Sequence, residues 1–267
     1  MNSIPRNNIV GIEGRDAFFD TLKSFLILFV VIDHSFGLFR EDRIVMSVLQ
    51  MNLIFTMPLF ICVSGYFTHH SDSRKFFKAI ANLFILFLVN HILRIAYGAF
   101  VNGEFSFERL WWSYFGLWFL PVMMTYRVIY QYFHKIIERG AVAIFVVSFV
   151  ISLLWGFVNT NPMTIGQRIV NFFPYFTMGI IARQYGLFDK AKKIPLYCGC
   201  IFFVLAFATL YTVNNGEVRR LLWLELPYSC IDFSSSMQVV AKIVQLGASV
   251  VLGACLVGIV NNLKFSL

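Results

Sequence analysis

Charged side chains are scarce in this sequence of 267 residues. Asp, Glu, Lys and Arg together make up 13% of it, and 58% is apolar. About 25% of the residues of a typical soluble domain are charged. The mean hydropathy of +0.72 points the same way. The composition therefore excludes an ordinary water-soluble globule and predicts a protein embedded in a lipid bilayer.

The sequence also lacks the cysteine spacing of a zinc site or of a disulfide framework. Its five cysteines are scattered, four of them inside long apolar runs. Cys198 and Cys200 are two residues apart, so on a helix they point in different directions. We predict that the cysteines are small apolar packing residues and that the chain has no metal site.

Long apolar runs are abundant instead. Runs of about 18 or more mostly apolar residues mark candidate membrane-spanning helices, and no small-residue cleavage site follows the first of them, so we expect it to persist. We predict an all-α, polytopic transmembrane bundle that forms a single domain over residues 1–267. The eight predicted spans are about 22–39, 47–67, 76–99, 111–132, 141–158, 168–185, 195–213 and 239–260.

The distribution of basic residues predicts the orientation, because loops rich in Lys and Arg tend to stay cytoplasmic. Fourteen of the 22 Lys and Arg residues fall on the side of the N-terminus and seven on the other side. We therefore predict a cytoplasmic N-terminus in a multi-pass protein of the cell membrane. The net charge of +8 is dispersed over short turns, which favours contact with anionic lipid and argues against nucleic acid as a partner.

Asp33 and His34 interrupt the first apolar run. An ionisable side chain at the bilayer centre costs about 2.5–3.5 kcal/mol on insertion scales, so it usually faces a cavity and marks a pathway or a reaction site. Lys23 lies nearly three helical turns before His34, on the same stripe and about 16 Å away along the axis. A neutral imidazole can accept a proton near pH 7. A hydrogen-bonded core histidine is the structural alternative to a functional His34.

His91 and Arg94 are three residues apart on the third predicted span and share a face. Counting along the helix brings them near the outer surface, where Arg94 either binds an acceptor or extends to the lipid headgroups. The longest loop, about 214–238, is expected to be an external lid or a substrate contact.

Several short segments occur in an order and at a spacing that resemble the acyltransferase-3 family of integral-membrane O-acyltransferases, in particular the branch similar to fucose 4-O-acetylases. The resemblance covers about residues 15 to 185. The segments are Arg15-Asp16-Ala17-Phe18-Phe19-Asp20-Thr21-Leu22-Lys23, Val30-Val31-Ile32-Asp33-His34-Ser35, Met57-Pro58-Leu59-Phe60, Ser64-Gly65-Tyr66-Phe67, Leu117-Trp118-Phe119-Leu120-Pro121 and Phe172-Phe173-Pro174-Tyr175-Phe176-Thr177-Met178-Gly179.

The resemblance implies transfer of an acyl group, commonly acetyl from acetyl-CoA, to a hydroxyl of a surface carbohydrate or a lipid-linked glycan. It implies no permanently bound cofactor, since acetyl-CoA is the acyl donor. His34 matches the family's histidine in the first span, the candidate general base. The candidate substrate-binding residues are Asp33, Lys23, Arg74, Lys75, Lys78, His91, Arg94 and Tyr66.

Two departures from the family pattern leave alternatives open. Members commonly carry an Arg-x-x-Arg pair near the start of the third span, where this chain has Lys78-Ala79-Ile80-Ala81-Asn82. They also usually have about ten spans, so we expect this chain to be shortened at its C-terminus. The alternatives are a transporter, in which Asp33, His34, His91 and Arg94 line a translocation path, and a catalytically inactive relative.

Overall fold

The computed structural model describes residues 16–39, 41–102, 117–159, 165–213, 216–224 and 226–263, and no strand occurs among them. The described part of the chain contains ten α-helices and two short 3-10 turns, Phe36–Phe39 and Tyr228–Cys230. The helices are α1 (Ala17–Ser35), α2 (Arg43–Phe67), α3 (Ser73–Asn102), α4 (Phe119–Arg139), α5 (Ala141–Trp155), α6 (Gly166–Tyr185), α7 (Leu187–Ala191), α8 (Leu196–Val213), α9 (Gly216–Leu222) and α10 (Ser235–Asn262).

The predicted all-α fold is confirmed, and each of the eight predicted apolar runs overlaps a helix of the described residues. Within the described residues, α2, α3, α8 and α10 are long and apolar enough to cross a membrane. Helices α4 and α5 meet this criterion together, with a bend of 117° between them. Helix α1 contains Asp20, Lys23 and Asp33, which lower its apolar character. Eight crossings and a cytoplasmic N-terminus stay predictions, and residues 111–116 of the fourth predicted span lie outside the described residues.

Acidic side chains fix where the first two long helices begin. The Asp16 carboxylate accepts a hydrogen bond from the Phe18 backbone N–H at 3.0 Å. The Asp42 carboxylate accepts from the N–H groups of Ile44 and Val45 at 2.8 and 2.9 Å. Both satisfy backbone donors that have no partner within the first helical turn. The cap at Asp42 therefore fixes the start of α2, which carries part of the site described below.

Pro58 interrupts the hydrogen bonding of α2, because proline has no N–H to offer the carbonyl four residues earlier. That carbonyl belongs to Ile54, and the Ser249 hydroxyl of α10 donates to it instead. A neighbouring helix thus satisfies the backbone group that Pro58 frees, as the interior of a membrane protein requires. The contact ties α10 to the middle of α2.

Helices α2 and α6 form the centre of the bundle, and their backbones nearly touch. A Cβ atom added at Gly65 would lie 2.1 Å from the carbonyl oxygen of Phe176, and one added at Gly179 would lie 1.9 Å from that of Cys62. Glycine is required at both positions, since close approach of transmembrane helices depends on small residues. Buried side chains of α1 and α10 pack on one side of α2, and those of α4 pack with α6.

The bundle has two ends, which we name after two arginines. At the Arg43 end, the Arg43 Nε atom donates to the Tyr211 carbonyl at 2.9 Å. At the Arg183 end, the guanidinium of Arg183 joins the end of α2 to Glu138 of α4. The predicted orientation assigns the Arg183 end to the cytoplasmic side.

Candidate functional site

A cavity of about 300 Å³ lies toward the Arg43 end, between α1, α2, α4, α6 and α9. Most of its wall is apolar, with side chains such as Leu53, Phe60 and Phe172. Its volume is at the lower end of the range of small-molecule sites. The polar and charged side chains that line it are Asp33, His34, Asn52, Thr56, Arg168 and Arg219.

His34 and Asp33 reach the cavity from the last turn of α1. The His34 side chain is exposed and that of Asp33 is partly buried. An imidazole in this position is accessible to a molecule in the cavity, which a general base requires.

Two arginines, each beside a tryptophan, contribute positive charge to the cavity. The Arg168 guanidinium of α6 lies over the Trp118 ring, 4.6 Å from its centroid. The Arg219 guanidinium of α9 lies 5.2 Å from the centroid of Trp223. All four residues line the cavity, and Arg219 is only 6% exposed. Delocalised guanidinium groups stack on aromatic faces and still present N–H donors at their edges.

The segment that brings Arg219 to the cavity is the loop predicted as an external lid or a substrate contact. Polar side chains of α10 hold it in place: the Gln245 amide donates to the Leu222 carbonyl at 3.1 Å, and the Gln238 amide donates to the carbonyls of Tyr228 and Phe233 at 2.9 and 2.7 Å. These hydrogen bonds satisfy carbonyl groups of the irregular loop backbone, which would otherwise lack a partner when buried. The described part of the loop forms one wall of the cavity.

Lys23 and Tyr66 lie toward the Arg183 end, away from the cavity lining. The Lys23 ammonium is 3.4 Å from the Asp20 carboxylate and 4.9 Å from the centroid of the Phe67 ring. The Tyr66 ring packs against Phe19 and Phe188 at centroid distances of 5.0 Å. The structure therefore separates these two candidates from His34.

The candidates on α3 are not part of the cavity lining either. Arg74, Lys75 and Lys78 are exposed on the first turns of the helix. His91 is buried and stacks on Phe87, with 5.5 Å between ring centroids, whereas Arg94 is exposed. Among all the predicted site residues, only Asp33 and His34 line the cavity.

The sequence alone does not identify four polar residues of the cavity: Asn52, Thr56, Arg168 and Arg219. Arg168 falls at the start of a predicted apolar run and Arg219 in the loop predicted over about 214–238, and in both places basic residues are also common as topology determinants. Asn52 and Thr56 had a usable signal, since they are four residues apart in an otherwise apolar run and therefore share a helix face. Polar side chains on one face of a spanning helix favour a position facing protein or a cavity.

The class defined by these features is a helical membrane protein with a charged cavity at one end of its bundle. The acyltransferase-3 family model, described as an acyltransferase domain, matches residues 16–261. The chain therefore belongs to this family and is a membrane acyltransferase. The comparisons with curated proteins and with solved structures gave no significant match.

Proposed function

We propose that this protein transfers an acyl group, with acetyl as the first choice, from acyl-CoA to a hydroxyl of a cell-surface carbohydrate or a lipid-linked glycan, as in the branch similar to fucose 4-O-acetylases. The observation that carries the proposal is the shared cavity of Asp33, His34, Arg168 and Arg219. It combines a proton acceptor with fixed positive charge in a largely apolar environment.

Acyl transfer to an alcohol needs both of these groups. A sugar hydroxyl is a weak nucleophile until a base removes its proton, and His34 is the candidate base. The hydroxyl oxygen attacks the thioester carbonyl carbon, and the resulting oxyanion is stabilised by the guanidinium of Arg168 or Arg219. Collapse of this intermediate breaks the C–S bond, and the proton held by His34 goes to the departing CoA sulfur.

The two substrates would approach from opposite ends of the bundle. Acyl-CoA is cytoplasmic, and Lys23, Arg74, Lys75 and Lys78 are positively charged residues toward the Arg183 end that suit its phosphates. The acceptor would enter from the Arg43 end, where the cavity lies. In this proposal Tyr66 lies along the donor path, and Arg94 and His91 are peripheral acceptor contacts.

The proposal is tested with purified protein in lipid nanodiscs, labelled acetyl-CoA and envelope carbohydrate extracted from a host strain that lacks this protein. We expect label to enter the carbohydrate, and His34→Gln to lower the rate by about 10²–10⁴-fold, the usual contribution of a general base. His70→Gln is the matched control, because His70 stacks on His134 outside the cavity and its replacement should leave transfer unchanged.

Full transfer by His34→Gln would remove the proposed mechanism. Carbohydrate uptake into sealed vesicles without consumption of acetyl-CoA would indicate a transporter instead. A wild-type protein that transfers no label and does not bind CoA would indicate an inactive relative.

A further inference from the structure

Asn52 and Thr56 occupy an unusual position for polar side chains in a membrane protein. Both line the cavity and both are only 3% exposed. Neither the amide oxygen and nitrogen of Asn52 nor the hydroxyl of Thr56 has a hydrogen-bond partner among the residues that the structure describes. Buried polar groups are nearly always paired, so an unpaired one calls for a specific explanation.

Other hydroxyl side chains in the same helix show how Thr56 differs. The Ser47 hydroxyl donates to the Arg43 carbonyl at 2.8 Å, and the Ser64 hydroxyl donates to the Phe60 carbonyl at 2.9 Å. Bonds of this kind to the preceding turn are the ordinary way to satisfy a hydroxyl inside a helix. Thr56 makes no such bond. Its hydroxyl, like the amide of Asn52, is unpaired among the residues that the structure describes.

We infer that Asn52 and Thr56 bind two hydroxyl groups of the acceptor sugar, next to the hydroxyl that is acylated. This inference rests on the proposed function. Residues four apart on a helix stand one above the other, with about 5–6 Å between their Cβ atoms, so the pair can meet two hydroxyls of the same ring. Asn52 and Thr56 are binding residues in this scheme, and the proton transfer stays with His34.

The chemistry of the pair favours an alcohol over an anion. A carboxamide and a hydroxyl each donate and accept hydrogen bonds, as a sugar hydroxyl does. An ionised carboxylate or phosphate only accepts, so it would leave the Asn52 oxygen unpaired. The cavity of about 300 Å³ suits one ring with the attached acyl group. The pair would therefore select acceptors by the configuration of hydroxyls close to the reacting one.

The test measures initial rates of label transfer from acetyl-CoA as the concentration of the envelope carbohydrate extract is varied. We expect Thr56→Val and Asn52→Leu each to raise the KM for the extract by about 3–10-fold, the effect of one lost neutral hydrogen bond. The kcat at saturating extract and the KM for acetyl-CoA should change by less than about twofold. The matched controls are Thr125→Val and Asn90→Leu, whose polar atoms donate to the carbonyls of Pro121 and Leu86.

Thermal stability supplies a second readout. Thr56→Val should keep or raise the Tm if Thr56 binds the acceptor, and should lower it if Thr56 has a structural role. Replacing an unpaired buried hydroxyl by a methyl group is neutral or stabilising. We therefore expect Thr56→Val to raise the apparent Tm by about 2 °C or leave it unchanged, whereas Thr125→Val should lower it. A lower Tm for Thr56→Val with an unchanged KM would assign Thr56 to packing and overturn the inference.

The outcomes distinguish a failure of the proposed function from a failure of the inferred acceptor contacts. If the wild-type protein transfers no label to the extract, the proposed function fails and the inference fails with it. If the wild-type protein transfers label and both cavity variants keep the wild-type KM, the inference alone is wrong.

Discussion

The ammonium group of Lys242 lies 3.2 Å from the side-chain oxygen of Asn171, in a part of the bundle where Lys242 is only 5% exposed. The same ammonium donates to the Ser152 carbonyl at 3.2 Å and lies 4.8 Å from the centroid of the Tyr228 ring. The Asn171 amide nitrogen donates to the Leu224 carbonyl at 2.7 Å. A single amide therefore joins a buried cation to the loop that lines the cavity.

The attachment point on that loop is strained. Leu224 has a φ angle of 57°, a left-handed conformation that non-glycine residues seldom adopt and that persists only where the surroundings enforce it. Leu224 directly follows Trp223, which lines the cavity beside Arg219. Asn171 and Lys242 are thus positioning residues, because they hold the turn at Leu224, next to the Trp223 and Arg219 side chains that line the cavity.

We predict that Asn171→Leu destabilises the protein by about 2–6 kcal/mol, since it removes one partner from Lys242 and one from the Leu224 carbonyl, each worth about 1–3 kcal/mol when buried. Lys242→Met should cost less, because Asn171 still holds the loop. The measurement is thermal unfolding in nanodiscs, with limited proteolysis of the loop as a second readout. The control is Asn90→Leu, and equal stability of Asn171→Leu and this control would contradict the role assigned to Asn171.

We predict that Gly179→Ala and Gly65→Ala each lower stability by about 1–3 kcal/mol or prevent folding, because the added methyl group would overlap a backbone carbonyl of the facing helix. Backbone atoms cannot move aside as a flexible side chain can. Gly247→Ala is the matched control, since a Cβ at Gly247 meets nothing within 4 Å. The yield of folded protein and the apparent Tm measure the effect, and normal folding of both variants would refute the close packing of α2 on α6.

These two glycines show what the sequence could and could not predict. Gly65 and Gly179 lie in segments whose order and spacing resemble the acyltransferase-3 family, and the family is confirmed. The sequence alone did not show that both glycines allow α2 and α6 to pack closely. Apolar runs predicted the helices well, because only a helix satisfies its own backbone in lipid.

Hydropathy could not predict which helices are central. The apolar windows of α2 and α3 have the same mean hydropathy of 1.9, yet 56% of the first and 6% of the second is buried. In lipid, the outward and inward faces of a helix are both apolar, so the pattern carries little information about neighbours. Only part of the site could be predicted from the sequence. Asp33 and His34 stand out as ionisable residues within one apolar run, whereas Arg219 reaches the cavity from a loop that is distant in the sequence.

Tyr228, in the same loop, should make the stability of the protein depend on pH. Its hydroxyl donates to the Leu153 carbonyl at 3.1 Å, and burial raises the pKa of Tyr228 to about 12. In the unfolded chain a tyrosine ionises near pH 10, so between about pH 10 and 12 the folded state binds more protons than the unfolded one. The stabilisation that comes from the neutral, buried Tyr228 hydroxyl is complete below pH 10, and the stability of the fold falls as the pH rises from 10 to 12.

The expected result is a smaller fall of the apparent Tm between pH 10 and 12 in Tyr228→Phe than in the wild-type protein, together with a lower Tm at pH 8 from the lost hydrogen bond. Tyr132→Phe is the matched control, because Tyr132 is exposed. An identical pH profile in wild type and Tyr228→Phe would show that the Tyr228 ring is not held in a buried environment.

Arg183 provides the corresponding test at the other end of the bundle. Its guanidinium donates to the carbonyls of Tyr66, at 3.1 Å, and Thr68, and it pairs with the Glu138 carboxylate at 3.0 Å. The Tyr130 hydroxyl also donates to Glu138. One planar cation thus joins α6 to the end of α2 and to α4, a geometry that needs several N–H donors in a fixed arrangement.

We predict that Arg183→Met lowers stability by about 1–3 kcal/mol through the loss of these charge-assisted bonds, and that Arg183→Lys rescues little of it, because an ammonium cannot reach the same carbonyls and the carboxylate together. Arg139→Met makes the same change of charge at an exposed site and should leave the Tm within about 1 °C. Because Arg183 is remote from the cavity, acyl transfer at a temperature well below the Tm should be retained. A stable Arg183→Met variant with lost transfer would mean that the Arg183 network takes part in donor binding instead of holding the helices together.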